Sequence, residues 1–213
     1  MMGFKLKRSE ITVLVLAAGR SSRMGDLKPL LKIGAKTVLE RVISVFTEAG
    51  ITDVRVILGY RHSELLPQIE ECGALWIRNY QWEQGMFSSV KAGVAAIGGS
   101  TRCFLVMPVD IPMVEPATIG KLVDVFDQSG KLVCYPNFQG KRGHPPVISA
   151  QYRNEILQWE NPGGLGGFLR QKQADSIDVD DEDEGILLDI DTPEDYRNLL
   201  ERLGLKGIES SGN

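Results

Sequence analysis

Apolar stretches suited to buried strands alternate with helix-like stretches along this chain of 213 residues. Residues 11–16, 54–58 and 103–107 form runs that are almost continuously apolar instead of alternating with polar residues. Strands of this kind are buried on both faces, which is typical of parallel sheets with helices packed on either side. The pattern therefore predicts an α/β fold with a doubly wound, mostly parallel sheet.

Helix signals separate these strands at intervals that suit α/β connections. A capping box of Thr37 and Glu40 opens a helix whose apolar residues recur with helical spacing until Gly50. Further helices are predicted at 62–72, 88–97 and 116–128, and further strands at 75–77 and 132–135. Because no long linker divides the chain, we expect a single domain over residues 1–213, with a core of about residues 11–203.

The composition excludes several classes of function. A net charge of −4 provides no basic surface for nucleic acid. No apolar run approaches the roughly 18 residues of a membrane span, and the charged N-terminus lacks the apolar core of a signal peptide. The three cysteines are widely spaced, which favours reduced thiols over a disulfide framework or a zinc site. We therefore expect a cytoplasmic protein that binds neither nucleic acid nor membranes.

A loop rich in glycine and cations directly follows the first predicted strand. Gly19 and Gly25 permit tight turns and let a ligand approach backbone N–H groups. Arg23 and Lys28 can neutralise phosphate charge, arginine through a two-pronged fork and lysine as a point charge. The alternative is a solvated turn between a strand and a helix. The residues assigned to nucleotide binding here are Leu16, Ala17, Ala18, Gly19, Arg20, Ser21, Ser22, Arg23 and Lys28.

The spacing of this loop differs from the two best-known phosphate loops. A P-loop requires G-x-x-x-x-G-K-[ST], but Gly19 and Gly25 are one residue farther apart and Asp26 stands at the lysine position. The dinucleotide fingerprint G-x-G-x-x-G fails because Ser21 stands at its second glycine. The sequence therefore predicts a polyphosphate loop of another type.

Asp110 follows the most apolar predicted strand and lies between Pro108 and Pro112. The prolines end the strand, which places Asp110 at the carboxyl edge of the sheet, where ligands of such sheets bind. Mg²⁺ prefers one or two carboxylates together with phosphate oxygens and water. Together with the phosphate loop, Asp110 is predicted to bind Mg²⁺; the alternative is an aspartate that only caps the following turn.

A second acidic segment, residues 189–195, contains a helix start. Thr192 as N-cap, Pro193 at the first helical position and Asp195 two residues later are explained by capping alone. Asp189 and Asp191 are not explained in this way. The acidic run upstream, residues 178–184, is predicted to be a solvated face or a loop.

Polar residues elsewhere are candidates for an acceptor pocket. Ser88 and Ser89 lie at a predicted helix start. Their hydroxyl groups and the free N–H groups of the helix are candidates for binding an anionic acceptor group. The alternative is that Ser88 only caps the helix. Lys141 and Arg142 are candidates for a phosphate contact. His144 is a candidate for a hydrogen bond to the acceptor, with a purely structural histidine as the alternative.

Several of these segments resemble one known family. The loop at 16–28, read as L-A-A-G-x-S-x-R-M-G-x-x-K, resembles the signature loop of the MobA/MocA-like nucleotidyltransferases. The segments G-M-x-x-S at 85–89, D-x-P at 110–112, G-H-P at 143–145 and D-x-D-T-P-E-D at 189–195 are similar to the molybdenum cofactor cytidylyltransferase branch. The resemblance spans most of the chain and implies a three-layer αβα, Rossmann-like domain of the nucleotide-diphospho-sugar transferase type.

The resemblance also implies roles for individual residues. The glycine loop would wrap an NTP triphosphate, with Arg23 and Lys28 stabilising charge on the phosphates and on the leaving pyrophosphate. Asp110 and Asp191 would be the Mg²⁺ ligands, and Gly59, after the second predicted strand, would belong to the nucleotide pocket. Within the family the A-A-G form of the loop goes with cytidine nucleotides, so CTP is the expected donor.

The function implied is transfer of CMP from CTP to a small phosphorylated acceptor of the molybdopterin type, with release of pyrophosphate. Docking to a molybdenum enzyme is implied by analogy only. Residues 161–167, N-P-G-G-L-G-G, depart from the G-D-x-G-x-R of close relatives, and they are expected to form a mobile or ligand-contacting loop or a surface turn. Two alternatives stay open: a sugar-phosphate or polyol-phosphate acceptor, and a non-catalytic nucleotide-binding accessory protein for molybdoenzyme maturation.

Overall fold

The computed structural model describes residues 5–21, 24 and 26–205. The strands are β1 (Ile11–Ala17), β2 (Lys32–Ile33), β3 (Lys36–Thr37), β4 (Asp53–Leu58), β5 (Leu75–Arg78), β6 (Cys103–Pro108), β7 (Val133–Phe138), β8 (Lys141–Arg142), β9 (Val147–Ser149) and β10 (Ser176–Asp180). The helices are α1 (Val38–Glu48), α2 (Leu66–Glu71), α3 (Met86–Ala96), α4 (Pro116–Ser129), α5 (Arg153–Gln158), α6 (Gly164–Gln171) and α7 (Pro193–Arg202).

Eight of these strands form one sheet in the order β10-β7-β9-β6-β1-β4-β5, with β8 beside β7. The pairs β1–β4, β1–β6, β4–β5 and β7–β10 are parallel, whereas β9 runs antiparallel to both β6 and β7. One apolar cluster packs Val42 of α1 and Ile119 of α4 on one face of the sheet. A second cluster packs Val90 of α3 and Phe168 of α6 on the other face. The predicted α/β fold with a mostly parallel, doubly covered sheet is confirmed.

The central strands bring the predicted site to one edge of the sheet. Because β1 lies between β4 and β6 and is parallel to both, the carboxyl ends of the three strands are neighbours. In this register Ala17 pairs with Leu58 and Leu16 pairs with Pro108. The glycine loop, Gly59 and Asp110 therefore leave the sheet side by side, where ligands of parallel sheets bind.

Two helices differ in extent from the prediction. The helix expected at 62–72 is a 3₁₀ turn, His62–Glu64, followed by the shorter α2. The helix expected from Ser88 begins two residues earlier, at Met86, because Gly85 is its N-cap. The capping box of Thr37 and Glu40 is present as predicted at the start of α1. Among the described residues, no helix combines the length and the hydrophobicity needed to cross a membrane.

Most acidic side chains of the run 178–184 are exposed, as predicted, but Asp183 is buried and the prediction is wrong for that residue. The first part of the run belongs to β10, where Val179 is buried between the flanking aspartates. Its later part contains Asp183, which is only 7% exposed and accepts hydrogen bonds from Glu115 N and Thr118 Oγ1, both at 2.8 Å. A buried carboxylate at the start of α4 stabilises the free N–H groups of that helix.

The glycine-rich segment 163–167 is also not a loop. Its residues form the start of α6, which follows Gly163 in a left-handed conformation with a φ of +89°. Leu165, Phe168 and Leu169 follow helical spacing and pack into the second apolar cluster. Packing of this apolar face outweighs the low helix propensity of the glycines.

Candidate active site

Lys28 joins the three segments that the sequence assigned to phosphate and metal binding. Its Nζ donates to Asp191 Oδ1 at 2.6 Å and lies 3.4 Å from Asp110 Oδ2. Lys28 is only 9% exposed, so the ammonium group interacts with both carboxylates with little screening by water. The structure thus brings together a loop cation and two carboxylates that are far apart in the sequence.

Backbone hydrogen bonds hold the two aspartates in this arrangement. Val109 N donates to Leu16 O at 3.1 Å, which ties the exit of β6 to β1. Ile190 N donates to Asp110 O at 2.8 Å, which ties the segment before α7 to the same point. Asp191 N donates to Asp195 Oδ2 at 3.1 Å as part of the helix cap. The predicted cap therefore also orients the backbone of Asp191.

The glycine loop forms one wall of a cavity of about 570 Å³. Ser21 has a left-handed backbone with a φ of 51°, and its Oγ accepts a hydrogen bond from Lys28 N at 3.3 Å. The loop residues that line the cavity are Leu16, Ala17, Ala18, Gly19, Arg20, Ser21 and Lys28. Ser22, Arg23 and Gly25 lie outside the described residues, so their roles stay predictions.

A second cavity of about 440 Å³ adjoins the first. The two cavities share Ser21, Lys28, Met86, Pro108 and Asp110. Asp189, Asp191 and His144 line the second cavity but not the first. Lys28 and Asp110 therefore stand at the border between a larger cavity, which can hold a nucleotide, and a smaller one, which Asp191 also lines.

The carboxylates of Asp110 and Asp191 are suitable ligands for a divalent cation. They face one point, where the ammonium group of Lys28 acts as their counter-ion. In the part of the chain that the structure describes, no group of three or more His, Cys, Asp and Glu residues is placed to hold a metal ion. A metal at this point would therefore need oxygens from a bound phosphate and water, which is the coordination that Mg²⁺ prefers.

Arg20 belongs to the wall of the nucleotide-sized cavity. Its guanidinium lies 4.9 Å from the ring centre of Trp82 and 5.7 Å from that of Tyr60, and Nη2 donates to Glu83 Oε1 at 2.9 Å. Gly59 lies behind this wall, because a Cβ there would come within 2.5 Å of Trp82 Cβ. Gly59 thus makes room for the ring beneath the cavity, and a direct ligand contact for it stays a prediction.

Ser88 and Ser89 take different positions at the start of α3. Ser88 Oγ donates to Gly85 O at 2.7 Å, whereas Ser89 is buried and lines the larger cavity. Asn79 Nδ2 donates to both serine hydroxyls, at 2.8 and 3.0 Å. Because Gly85 is the N-cap, the alternative in which Ser88 caps this helix is wrong.

Sequence reasoning missed Asn79, although its position gave a signal. Asn79 directly follows β5, so it lies at the same edge of the sheet as Asp110. Its side chain is buried, and a buried amide requires hydrogen-bond partners.

His144 lies beside the carboxylates. Burial lowers the pKa of His144, although the charge of Asp110 opposes this effect, so the ring is neutral at pH 7. Its Nδ1 is buried and has no hydrogen-bond partner among the described residues. Arg142 Nε donates to Asp178 Oδ1 at 2.6 Å, and the exposed Lys141 lines neither cavity. Lys141 therefore does not form the predicted phosphate contact in either of these two cavities.

Comparison with known proteins places this geometry in context. Residues 13–177 match the MobA-like NTP transferase domain. The chain is 32% identical over 200 residues to nicotine blue oxidoreductase from Paenarthrobacter nicotinovorans, covering 89% of this chain and 96% of that protein. It is 30% identical over 195 residues to the molybdenum cofactor cytidylyltransferase of Escherichia coli, covering 91% and 97%.

A solved structure supports the same comparison. The crystal structure of Rv0371c from Mycobacterium tuberculosis superimposes with a TM-score of 0.75 at 27% sequence identity, covering 92% of this chain and 100% of that one.

Proposed function

Because the chain belongs to the MobA-like NTP transferase family, we propose that it transfers CMP from CTP to a phosphate-bearing acceptor of the molybdopterin type and releases pyrophosphate. The enzyme class, nucleotidyltransferase, follows from the family. The observation that carries the proposal is the position of Lys28 between Asp110 and Asp191, at the border of the two cavities. The A-A-G form of the loop and the similarity to the Escherichia coli cytidylyltransferase support CTP as the donor.

The reaction is a displacement at the α-phosphorus of the nucleotide. An oxygen of the acceptor's phosphate forms a bond to that phosphorus, while the bond to the β-phosphate bridging oxygen breaks and pyrophosphate leaves with its electron pair. A phosphate monoester is already anionic near neutral pH, so this step needs no strong general base. In this step His144 is not required as a general base.

The residues of the chain contribute charge and position. The glycine loop offers backbone N–H groups to the triphosphate, and Lys28 supplies a positive charge where negative charge develops on the leaving pyrophosphate. Asp110 and Asp191 would hold Mg²⁺, which supplies further neutralisation of the reacting phosphates when bound. Binding of both substrates at one border converts an encounter of two molecules into a reaction within one complex.

The residues at the site favour this transfer over the redox chemistry in the name of the Paenarthrobacter relative. An ammonium group, two carboxylates and a glycine loop are groups that bind phosphates and a divalent ion. We place the reaction in the cytoplasm, in agreement with the three free cysteines.

The proposal is tested by measuring pyrophosphate release with molybdopterin loaded with molybdate, Mg²⁺ and each of CTP, GTP, ATP and UTP in parallel. We expect CTP to react fastest and the product to contain CMP joined to the acceptor through a pyrophosphate bond. The D191N variant is the matched negative control. Faster turnover of GTP would contradict the choice of base. Tight NTP binding without turnover would support a non-catalytic accessory protein.

A further inference from the structure

Large apolar side chains are exposed along one edge of the central sheet. In the described part of the chain five large apolar or aromatic residues are exposed, and three of them, Leu75, Trp76 and Tyr80, lie on β5 or just after it. Their exposed fractions are 57%, 44% and 79%. β5 is the last strand of the eight-stranded sheet and pairs with β4 on its inner side. An apolar edge strand of this kind is a template for pairing with a strand of another chain.

The opposite edge of the same sheet is protected against such pairing. β10 forms that edge, and the exposed Asp178 and Asp180 flank its buried Val179. Lys121 Nζ also donates to Asp180 O at 2.5 Å, which occupies a backbone acceptor of the strand. Charged side chains are a common protection of sheet edges. β5 instead carries one charged residue, Arg78, at its end, so the two edges differ in what they can bind.

The pairing of β5 with β4 identifies the backbone groups that remain open. Asn79 N donates to Leu58 O at 2.7 Å, so the N–H of residue 79 points towards β4. Along a strand the backbone groups of successive residues point to opposite sides. The N–H and C=O groups of Trp76 and Arg78 therefore point away from β4, to the open edge.

Charges of opposite sign lie at the two ends of β5, on the same face of the sheet. Ala74 packs against the apolar cluster that α2 also covers, and side chains alternate between the faces, so Arg78 lies on the α2 face too. The exposed Glu70 and Glu71 end α2 just before the strand begins. None of these three charged side chains forms an ion pair within the described residues, and Arg78 stacks at 4.8 Å on the ring of Tyr80.

We infer that β5 pairs with β5 of a second copy of this chain, antiparallel and about a two-fold axis at Trp76. In this register Trp76 stands opposite Trp76 of the partner subunit, and Leu75 stands opposite the partner's Ile77. Apolar and aromatic cross-strand pairs of this kind stabilise sheets.

The charges of β5 determine the direction of the pairing. In the antiparallel register Arg78 lies opposite the partner's Ala74, beside the glutamates that end the partner's α2. A parallel pair would instead place the two Arg78 side chains next to each other, which is unfavourable. The two-fold arrangement also closes after two subunits, so it gives a dimer and not a filament. Residues 75–78 line neither of the two cavities at the candidate active site, so the dimer leaves that site open and does not depend on the proposed function.

Sedimentation velocity of the full chain, over a concentration series up to about 0.1 mM, measures the oligomeric state. We expect a monomer–dimer equilibrium for the wild-type protein. W76E places two carboxylates opposite each other at the axis and should raise the dissociation constant about thirtyfold or more, the loss typical of an aromatic hot spot. L203E is the matched control, because Leu203 is also exposed but lies at the end of α7, and it should dimerise like the wild type. Circular dichroism checks that both variants fold.

A cysteine at the axis tests the register. In C72S/W76C the thiols introduced at position 76 of the two subunits would face each other, and oxidation with copper phenanthroline should join the subunits by a disulfide. C72S/L203C is the control and should stay unlinked under the same conditions. The dimer is overturned if the wild type is monomeric throughout the series, if it forms larger assemblies, or if W76E dimerises like the wild type. Absence of the disulfide in a C72S/W76C sample that sediments as a dimer would overturn the antiparallel register.

Discussion

At Lys28, a nearly buried ammonium group is shared by two carboxylates that approach from separate segments of the chain. The three side chains hold one another in place before any substrate binds. In the proposed reaction, the oxygens of an entering triphosphate would compete for the ammonium group, and the carboxylates would become available to a divalent ion. The site would then be organised in advance for the charge of the nucleotide, an arrangement that lowers the cost of stabilising a charged transition state.

We predict that K28Q, D110N and D191N each lower the rate of pyrophosphate release by about a hundredfold or more, because each removes one preorganised charge. The rate with CTP, Mg²⁺ and acceptor is the measurement, and thermal unfolding checks that the variants fold. D189N is the matched control, because Asp189 lines the same cavity but forms no ion pair with Lys28. Equal losses in D189N and D191N would contradict the role of Asp191.

The thiols provide a second prediction at single residues. Burial raises the pKa of Cys103 to about 12 and that of Cys134 to about 11, so at pH 8 both remain protonated and shielded. Cys72 is half-buried, and burial raises its pKa less strongly. A thiol reagent at pH 8 is expected to modify one cysteine in the native protein and all three after unfolding. The variant C72S should leave no reactive thiol in the native state, and fast modification of two or three thiols would show that the core around β6 and β7 opens readily.

Among the secondary-structure elements, α4 depends on an aspartate from a distant segment. Its own N-cap, Glu115, makes no side-chain cap, and Asp183 accepts hydrogen bonds from Glu115 N and Thr118 Oγ1 instead. The carboxylate also accepts from Gly185 N at 2.8 Å, which fixes the turn before Asp189. This cap therefore joins the start of α4 to the segment that leads from β10 to Asp189 at the site.

We expect D183A to lower the free energy of unfolding by about 2–4 kcal/mol, because it removes a cap and leaves buried donors unpaired. Urea denaturation followed by circular dichroism measures this loss. The neighbouring variant E182A is the control; Glu182 is exposed, and its removal should change stability by no more than about 0.5 kcal/mol. Similar losses in both variants would refute the capping role.

Elements with strong local signals could be predicted from the sequence, and those held by tertiary contacts could not. The capping boxes of Thr37 and Thr192 and the apolar runs of β1 and β6 were predicted because their signals lie within a few residues. By contrast, β10 is an edge strand with one buried face, and its aspartates resemble a solvated run. The start of α6 was missed because the glycines dominate its local propensity.

The candidate site shows the same limit. Asp110 and the glycine loop carry recognisable spacing, and both line the cavities. Asn79 has no such pattern, because its significance depends on which elements pack beside it.

At the scale of the whole molecule, the site is built from segments near opposite ends of the chain. The glycine loop follows β1, the first strand, and Asp191 precedes α7, the last helix of the described residues. A nucleotide bound together with a divalent ion would therefore connect the first and last parts of the described fold. A ligand that binds only the folded state raises the free energy of unfolding by about 2.7 kcal/mol when its concentration is one hundred times its dissociation constant. For a protein of this size, that gain corresponds to a rise in Tm of about 5–10 °C.

We predict that CTP and Mg²⁺ together give this rise in Tm, whereas either alone gives a much smaller rise. The reason is that the triphosphate supplies oxygen ligands for the coordination positions of Mg²⁺ that the two carboxylates do not fill. Differential scanning fluorimetry with CTP or GTP, with Mg²⁺ or with EDTA, measures the effect. In D191N the part of the rise that depends on Mg²⁺ should disappear, while the part due to CTP alone should persist through the glycine loop. If EDTA leaves the stabilisation by CTP unchanged in the wild-type protein, the nucleotide binds without a metal. The two aspartates would then act as counter-ions of Lys28 and not as metal ligands.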